Sequence, residues 1–428
     1  MADWTEDANE ALTLSLVRSS KDKEMLADDE TYEEFHPSFT YPIYGEDEKI
    51  YGYRDLLIDL RLASGSLTQY LSVSYEEKLP STSTVDDVEG TLAKFIPLGY
   101  YTDEEAFFKR VEEDADSFRP PGQLIYSYTR QSPKSSSKGK RKRDGEQALD
   151  PQSEDVIEFE VYHATWDTPG FREYHQKMQL FILLYIEGGS YINEDEDPWE
   201  FVLLYEKRKR NDPSHTVTYH FVGYSSLYPF YYYPERVRLR LSQFVILAPY
   251  QRHGHGSELY KAIYQYILKN PNIAELTVED PAEAFEDLRD KNDLQMLLSN
   301  EQFMQEAFGV QTAGSTGRRR KSGRGGDLSL GKGKLSPPAD KVWVEKWRKD
   351  LKIAGRQFQR LVEMLILLHL NPSDSAALRA YRLQVKERLY RFNFEILAQL
   401  EKEERYEKLE ETFQSVREDY HRILALVS

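Results

Sequence analysis

The chain has 428 residues, 40% hydrophobic and 30% charged, with a net charge of −17, enough for two or three domains with real cores. It has no cysteine, which excludes disulfides, thiolate-rich zinc sites and a cysteine acyl-enzyme. Its longest apolar runs, Phe181–Ile186 and Met364–Leu370, fall far short of the roughly 20 residues that span a bilayer. The N-terminus lacks the basic and apolar pattern of a secretory signal, so an intracellular protein away from membranes is expected. A strongly acidic folded surface argues for a basic protein or peptide as partner and against direct nucleic-acid binding.

Residues 1–130 mix short alternating runs with turn signals and read as an α+β domain. Strands are expected at Tyr51–Leu62 and Gln69–Tyr75, and a helix at Glu104–Asp114. Residues 131–155 are a basic low-complexity insert. Its tetrad Lys140–Arg143 suits either nuclear import or a solubilising surface loop. Residues 156–310 alternate strands and helices. Strands are expected at Val156–His163, Trp199–Lys207, Val217–Leu227, Val237–Ala248 and Ala274–Glu279. Helices are expected at Thr168–Glu187, from Ser257 to Leu268, and from Pro281, where a proline and early acids suit a helix start. Residues 311–341 form a second insert rich in glycine, arginine and lysine. Residues 342–428 are helical. One stripe runs from Trp347 to Leu368, a second from Leu378 to Phe392, and a third helix spans Tyr406 to Leu426. The fold class is therefore mixed α/β (α+β), a central sheet flanked by helices with an N-terminal α+β part and a C-terminal helical part.

The most informative stretch is the apolar strand ending near Leu247, the turn Gln251-x-x-Gly254-x-Gly256, and the helix behind it. Glycines at a strand-to-helix turn let backbone N–H groups approach a phosphate, and the helix start adds partial positive charge. The turn lacks the Gly-Lys-Ser/Thr of a Walker loop and the three-glycine spacing of a dinucleotide fingerprint. It reads as a pyrophosphate cradle or as an ordinary glycine turn. Glu279 and Asp280 follow at the end of a strand. Strand neighbours point to opposite faces, so at most one faces a shared pocket. A helix-capping role suits Asp280 better than Glu279. His253-x-His255 has no third ligand at a telling spacing, so no metal is expected. The aromatic run Tyr228–Pro234 packs in a core or grips a peptide.

Four runs carry a family resemblance: FTYPIYGEDEKIYGYRDL (39–56), IEGGSYINEDEDPW (186–199), VILAPYQRHGHGSELY (245–260) and LTVEDPAEAFEDLRDKND (276–293). Together they resemble the catalytic subunit of type B histone acetyltransferases, within the Gcn5-related N-acetyltransferase superfamily, fungal members being nearest. The resemblance implies acetyl-CoA as co-substrate and no metal. It puts the pantetheine arm on Phe244, Val245 and Ile246, and the pyrophosphate on Gln251, Arg252, His253, Gly254, His255, Gly256 and Ser257. It makes Glu279 the general base, with Glu187 and Asp280 as assisting acids. It puts a histone tail on Glu46, Asp47 and Glu48 and on Tyr228, Pro229 and Phe230, with Trp199 near the lysine channel. The implied function is acetylation of lysines on the tail of new histone H4 (with H3), by direct attack in a ternary complex. A WD-repeat histone-binding subunit and a place in cytoplasm and nucleus are implied likewise. Another basic protein or a polyamine is the alternative substrate, and a non-catalytic histone-binding scaffold the alternative class. Ala282, Lys291 and the two basic inserts depart from the family pattern. For the oxyanion, a main-chain N–H near Val245–Leu247 is the expected donor.

Overall fold

The structure is a computed structural model that describes residues 4–427 except 29, 81–82, 134–155, 197, 211–212, 214 and 310–332. The tetrads Lys140–Arg143 and Arg318–Lys321 lie outside the described residues. The chain divides into two units, Met1–Phe230 with Leu239–Tyr266, and Tyr231–Arg238 with Ile267–Ser428. The fold class is mixed α/β, as expected.

In the first unit the strands are β1 (Thr5–Asp7), β2 (Leu12–Val17), β3 (Lys49–Tyr51), β4 (Tyr53–Arg54), β5 (Leu57–Ala63), β6 (Gln69–Ser74), β7 (Glu77–Lys78), β8 (Gln123–Gln131), β9 (Val156–Thr165), β10 (Glu200–Lys209), β11 (Val217–Tyr232) and β12 (Arg236–Ile246). The last two cross the unit boundary. A three-stranded sheet runs β2-β5-β6, the first pair parallel and the second antiparallel. Leu12, Leu14 and Leu16 are buried in its core, and Ser15 and Val17 between and after them are buried as well, so β2 is covered on both faces. The single strand expected over Tyr51–Leu62 is three strands, because Gly52 at φ +104° and Asp55 at φ +50° each break the extended run.

The larger sheet runs β12-β11-β10-β9-β8, and β8, β9, β10 and β11 pair antiparallel in turn. Phe201 through Tyr205 on β10 are fully buried, which requires cover on both faces. On one face Phe171 meets Phe201 at 4.7 Å and Phe181 stacks on Phe221 at 6.0 Å. Elsewhere on the sheet the helix His255–Lys269 supplies His255 against Phe159 and Tyr266 against His163, at 4.5 and 4.7 Å. The one helix expected over Thr168–Glu187 is two, Phe171–Met178 and Leu180–Tyr185, separated at Gln179. The second segment, LFILLY, buries five side chains in succession.

In the second unit β13 (Ile273–Val278) lies beside the start of β12, where Val237 N–H donates to Asn272 O at 2.9 Å. The helix expected from Pro281 starts at Glu283, because Ala282 is extended at ψ 153°. The stripe from Trp347 to Leu368 is split between the helices Lys341–Asp350 and Gly355–His369. Between them Lys352 takes φ +54°, its carbonyl accepts Leu276 N–H at 2.9 Å, and Ile353 bridges Leu276. The stretch therefore serves as an edge to β13 rather than as helix. The Lys352 ammonium donates to the carbonyls of Ile267, Leu268 and Asn270, capping a helix C-terminus with the favoured sign of charge. The helices Ser375–Phe392 and Lys402–Ala425 contribute Arg388 and Tyr420 to a buried cluster on Glu363, at 2.8 and 2.7 Å.

Candidate active site

β12 ends in Phe244-Val245-Ile246, with Val245 buried and its neighbours half-buried. Leu247 N–H donates to Val222 O at 3.0 Å, so this amide belongs to the sheet. Of the main-chain N–H groups near Val245–Leu247 expected to serve the oxyanion, this one is engaged. The chain then makes one 3-10 turn over Ala248–Tyr250. Gln251 N–H donates to Ala248 O at 3.2 Å and its side-chain amide to Ile246 O at 2.8 Å. The Gln251 amide is therefore engaged inside the turn. Arg252 at φ +63° and Gly254 at φ +84° swing the chain through left-handed backbone, which at Gly254 only glycine adopts without strain. Gln251 through Gly254 are exposed, and the helix opens at His255, two residues earlier than expected. Gly256 and Ser257 fall in its first turn, the end of a helix that carries partial positive charge. The strand, the left-handed turn and the 15-residue helix make a cradle of the shape that suits an anion.

The side chains beneath the cradle fix it. His255 is buried, with Nδ1 at 2.6 Å from the Tyr128 hydroxyl. Burial lowers its pKa to about 4, so the ring is neutral at pH 7 and contributes packing and the Tyr128 hydrogen bond rather than charge. His253 is exposed, and the two imidazoles lie 6.3 Å apart. Among the described residues no group of three or more His, Cys, Asp or Glu is arranged to hold a metal ion. Glu258 accepts from Tyr126 at 2.7 Å and Arg130 at 3.0 Å. Burial works against its charge, but the Tyr126 hydrogen bond and the Lys261 and Arg130 charges keep its pKa below the usual range. Arg130 Nη2 lies 3.4 Å from where a Cβ on Gly254 would stand, so a cation borders the cradle. Nothing in the sequence marked it, since β8 is far away along the chain.

Tyr250, the last residue of the 3-10 turn, is anchored from below. Its hydroxyl donates to Glu206 Oε2 at 2.7 Å and accepts from Arg18 Nη2 at 2.9 Å. Arg18 pairs with Glu206 at 2.7 Å, and Arg208 reaches both Glu206 and Glu30. Glu206 is fully buried. Burial alone would raise its pKa, but Arg18 and Arg208 hold it well below the usual carboxylate range.

The expected substrate residues of the first unit differ in character. Glu46 and Asp47 are exposed. Glu48 is turned inward: Oε1 accepts the N–H groups of Thr40 and Tyr41 at 2.7 and 3.1 Å, and Oε2 accepts Asn9 Nδ2 at 2.8 Å. Its carboxylate is occupied by the protein itself. Glu187 is exposed at the end of the LFILLY helix. Trp199 meets Tyr228 edge-on at 4.9 Å, Tyr228 meets Phe230 at 4.8 Å, and the Arg240 guanidinium sits 4.3 Å over the Phe230 ring. Pro229 and Tyr228 are half-buried and Phe230 is exposed, so this aromatic ladder is a surface feature rather than core. Trp199 Nε1 is buried without a hydrogen-bond partner among the described residues.

In the second unit Glu279 and Asp280 are both exposed, and β13 ends at Val278. Asp280 takes φ +30°, so strand alternation does not govern how the two acids point. Asp280 is not the helix cap either, since the cap position is Ala282.

A helix-flanked sheet whose strand runs through a left-handed turn into a helix N-terminus fits the acetyltransferase fold that the four sequence runs imply. The model for the histone acetyl transferase HAT1 N-terminus matches residues 4–187, and that for the fungal HAT1 C-terminal part matches 328–371. A histone acetyltransferase type B catalytic subunit from Cryptococcus neoformans is 49% identical over 432 residues, 100% of this chain and 98% of that protein. The same subunit from Mycosarcoma maydis is 45% identical over 90% of this chain and 82% of its own, and that from Kluyveromyces lactis 32% over 99% and 93%. The chain belongs to the family of type B histone acetyltransferase catalytic subunits.

Proposed function

We propose that the protein moves an acetyl group from acetyl-CoA to lysine side chains on the N-terminal tail of newly made histone H4. The observation that carries this reading is the cradle, with Arg252 and Gly254 left-handed ahead of a helix that opens at His255. Backbone N–H groups and a helix N-terminus suit a diphosphate, and the names of the relatives supply the acceptor class. The pantetheine arm takes Phe244, Val245 and Ile246, and the diphosphate takes the turn from Arg252 to Ser257.

A lysine amine has a pKa of about 10.4, so freeing it at pH 7 costs about 4–5 kcal/mol. A carboxylate within reach of the amine, directly or through one water, is the ordinary acceptor. Glu279 takes that role here, with Glu187 and Asp280 assisting. Without cysteine, the amine attacks the thioester directly in a ternary complex. The exposed Glu46 and Asp47 attract the basic tail. The Trp199–Tyr228–Phe230 ladder grips it. A WD-repeat histone-binding subunit is the expected partner, with work in cytoplasm and nucleus.

The test is purified protein with acetyl-CoA and a panel of H4 and H3 tail peptides and polyamines, read by mass spectrometry. Acetylated lysine on the H4 tail is the expected product. Exclusive acetylation of polyamines overturns the acceptor. Coenzyme binding without turnover on any peptide makes the chain a scaffold.

A further inference from the structure

Glu187 is an exposed carboxylate on a turn held more tightly than exposure requires. Upstream, Ser38 and Phe39 N–H groups both donate to Leu184 O, at 2.9 and 3.1 Å. Tyr185 Oη donates to His36 O at 3.0 Å. The turn itself is left-handed at Gly188, φ +69°, and Gly188 N–H donates to the Tyr41 hydroxyl at 2.6 Å. Tyr41 is in turn fixed by Glu48, which accepts its N–H and that of Thr40. Thr40, at the helix N-cap position, makes no side-chain cap bond of its own, so Glu48 supplies the cap.

On the far side the turn is tied to β12. Gln243, directly before Phe244, is 9% exposed. Its Nε2 donates to Ser190 O at 2.9 Å, and its Oε1 accepts from Ser226 Oγ at 3.0 Å. Both ends of the amide are used, which fixes its orientation. We propose that Tyr41 and Gln243 are positioning residues that brace the Glu187–Ser190 turn, Tyr41 from the acidic loop and Gln243 from the coenzyme strand. The brace holds the backbone that carries Glu187 in one place for the reaction. Glu48 belongs to it as the group that seats Tyr41. The inference rests on the reading of Glu187 as an assisting acid. Prepositioned groups lose effectiveness when their supports loosen by a fraction of an ångström.

The test uses the full chain and Tyr41→Phe, which removes one oxygen and keeps the ring. Amide hydrogen exchange at Gly188 is expected to accelerate, whatever the activity, and unchanged exchange overturns the brace. With H4-tail peptide, kcat/KM is expected to fall about fivefold, the usual scale of one lost hydrogen bond, while the Kd for acetyl-CoA stays within twofold. In a Glu187→Gln background the same substitution should cost nothing further, whereas in a Glu279→Gln background the full loss should persist. Additive losses with Glu187→Gln, or a Glu187→Gln enzyme as active as wild type, overturn the proposal. Gln243→Met cuts the other tie at similar volume and goes through the same cycle if Tyr41→Phe folds poorly. A wild-type protein that acetylates no peptide counts against the proposed function instead, and the exchange measurement still decides the brace.

Discussion

At the scale of single residues, charge and backbone angle separate the roles. Glu279→Gln keeps size and removes the proton acceptor. Turnover is expected to fall at least about tenfold at neutral pH, the low end of what a general base contributes. Part of it should return as rising pH frees the amine without help. A pH–rate profile on both proteins checks this, and an unchanged rate removes Glu279 from the role. Gly254→Val adds a branched side chain at φ +84° beside Arg130. It should raise the KM for acetyl-CoA more than it lowers kcat, because the damage falls on phosphate approach. Calorimetry showing undiminished coenzyme affinity would move the diphosphate elsewhere. Glu46 and Asp47 are open to a basic tail while Glu48 is engaged with Thr40, Tyr41 and Asn9. Charge reversal at Glu46 should therefore raise peptide KM, whereas Glu48→Gln should act through structure.

At the scale of elements, the cradle depends on the strand it grows from. The 3-10 turn after β12 is pinned by Tyr250 to Glu206 on β10, and Glu206 to Arg18 beyond β2. Glu206→Ala leaves the buried Arg18 guanidinium without a counter-charge while Arg208 keeps Glu30, a change that typically costs about 3–5 kcal/mol. The denaturant midpoint should fall accordingly, and acetyl-CoA affinity should weaken because Tyr250 loses its acceptor. Pairing Arg18→Met with Glu206→Leu should recover part of the stability, since a buried pair is often replaceable by apolar side chains. A double variant as unstable as the sum of the two singles would refute that. The break at Lys352 has a tertiary cause. Lys352 and Ile353 pair with Leu276 at the edge of β13 instead of continuing the helix, so periodicity alone did not show it.

At the scale of the whole molecule, titration and net charge set the working conditions. His175 and His255 are lowered from the ordinary 6.5 to about 4, and His220 well below 6.5, each chiefly by burial. The unfolded chain therefore binds protons below pH 6.5 that the folded chain refuses, so stability rises with pH across that window and levels off above it. Each of His175 and His255 contributes up to about 3 kcal/mol of this loss by pH 4, at about 1.4 kcal/mol per unit. Urea midpoints at pH 7.5 and 5 should differ in that direction, and equal midpoints would contradict the buried, neutral state. The net charge of −17 should make peptide KM rise with salt. Read alone, the chain discloses composition, the absence of thiol chemistry, the mixed strand and helix order, and the strand–turn–helix cradle. These are local properties, set by spacing and by the backbone freedom of a few residues. Only the folded chain decides that Glu48 is engaged, that Leu247 N–H is spent on Val222, that Arg130 borders Gly254, and that Tyr41 and Gln243 meet one turn. Those are partnerships between residues far apart in sequence, and packing chooses them.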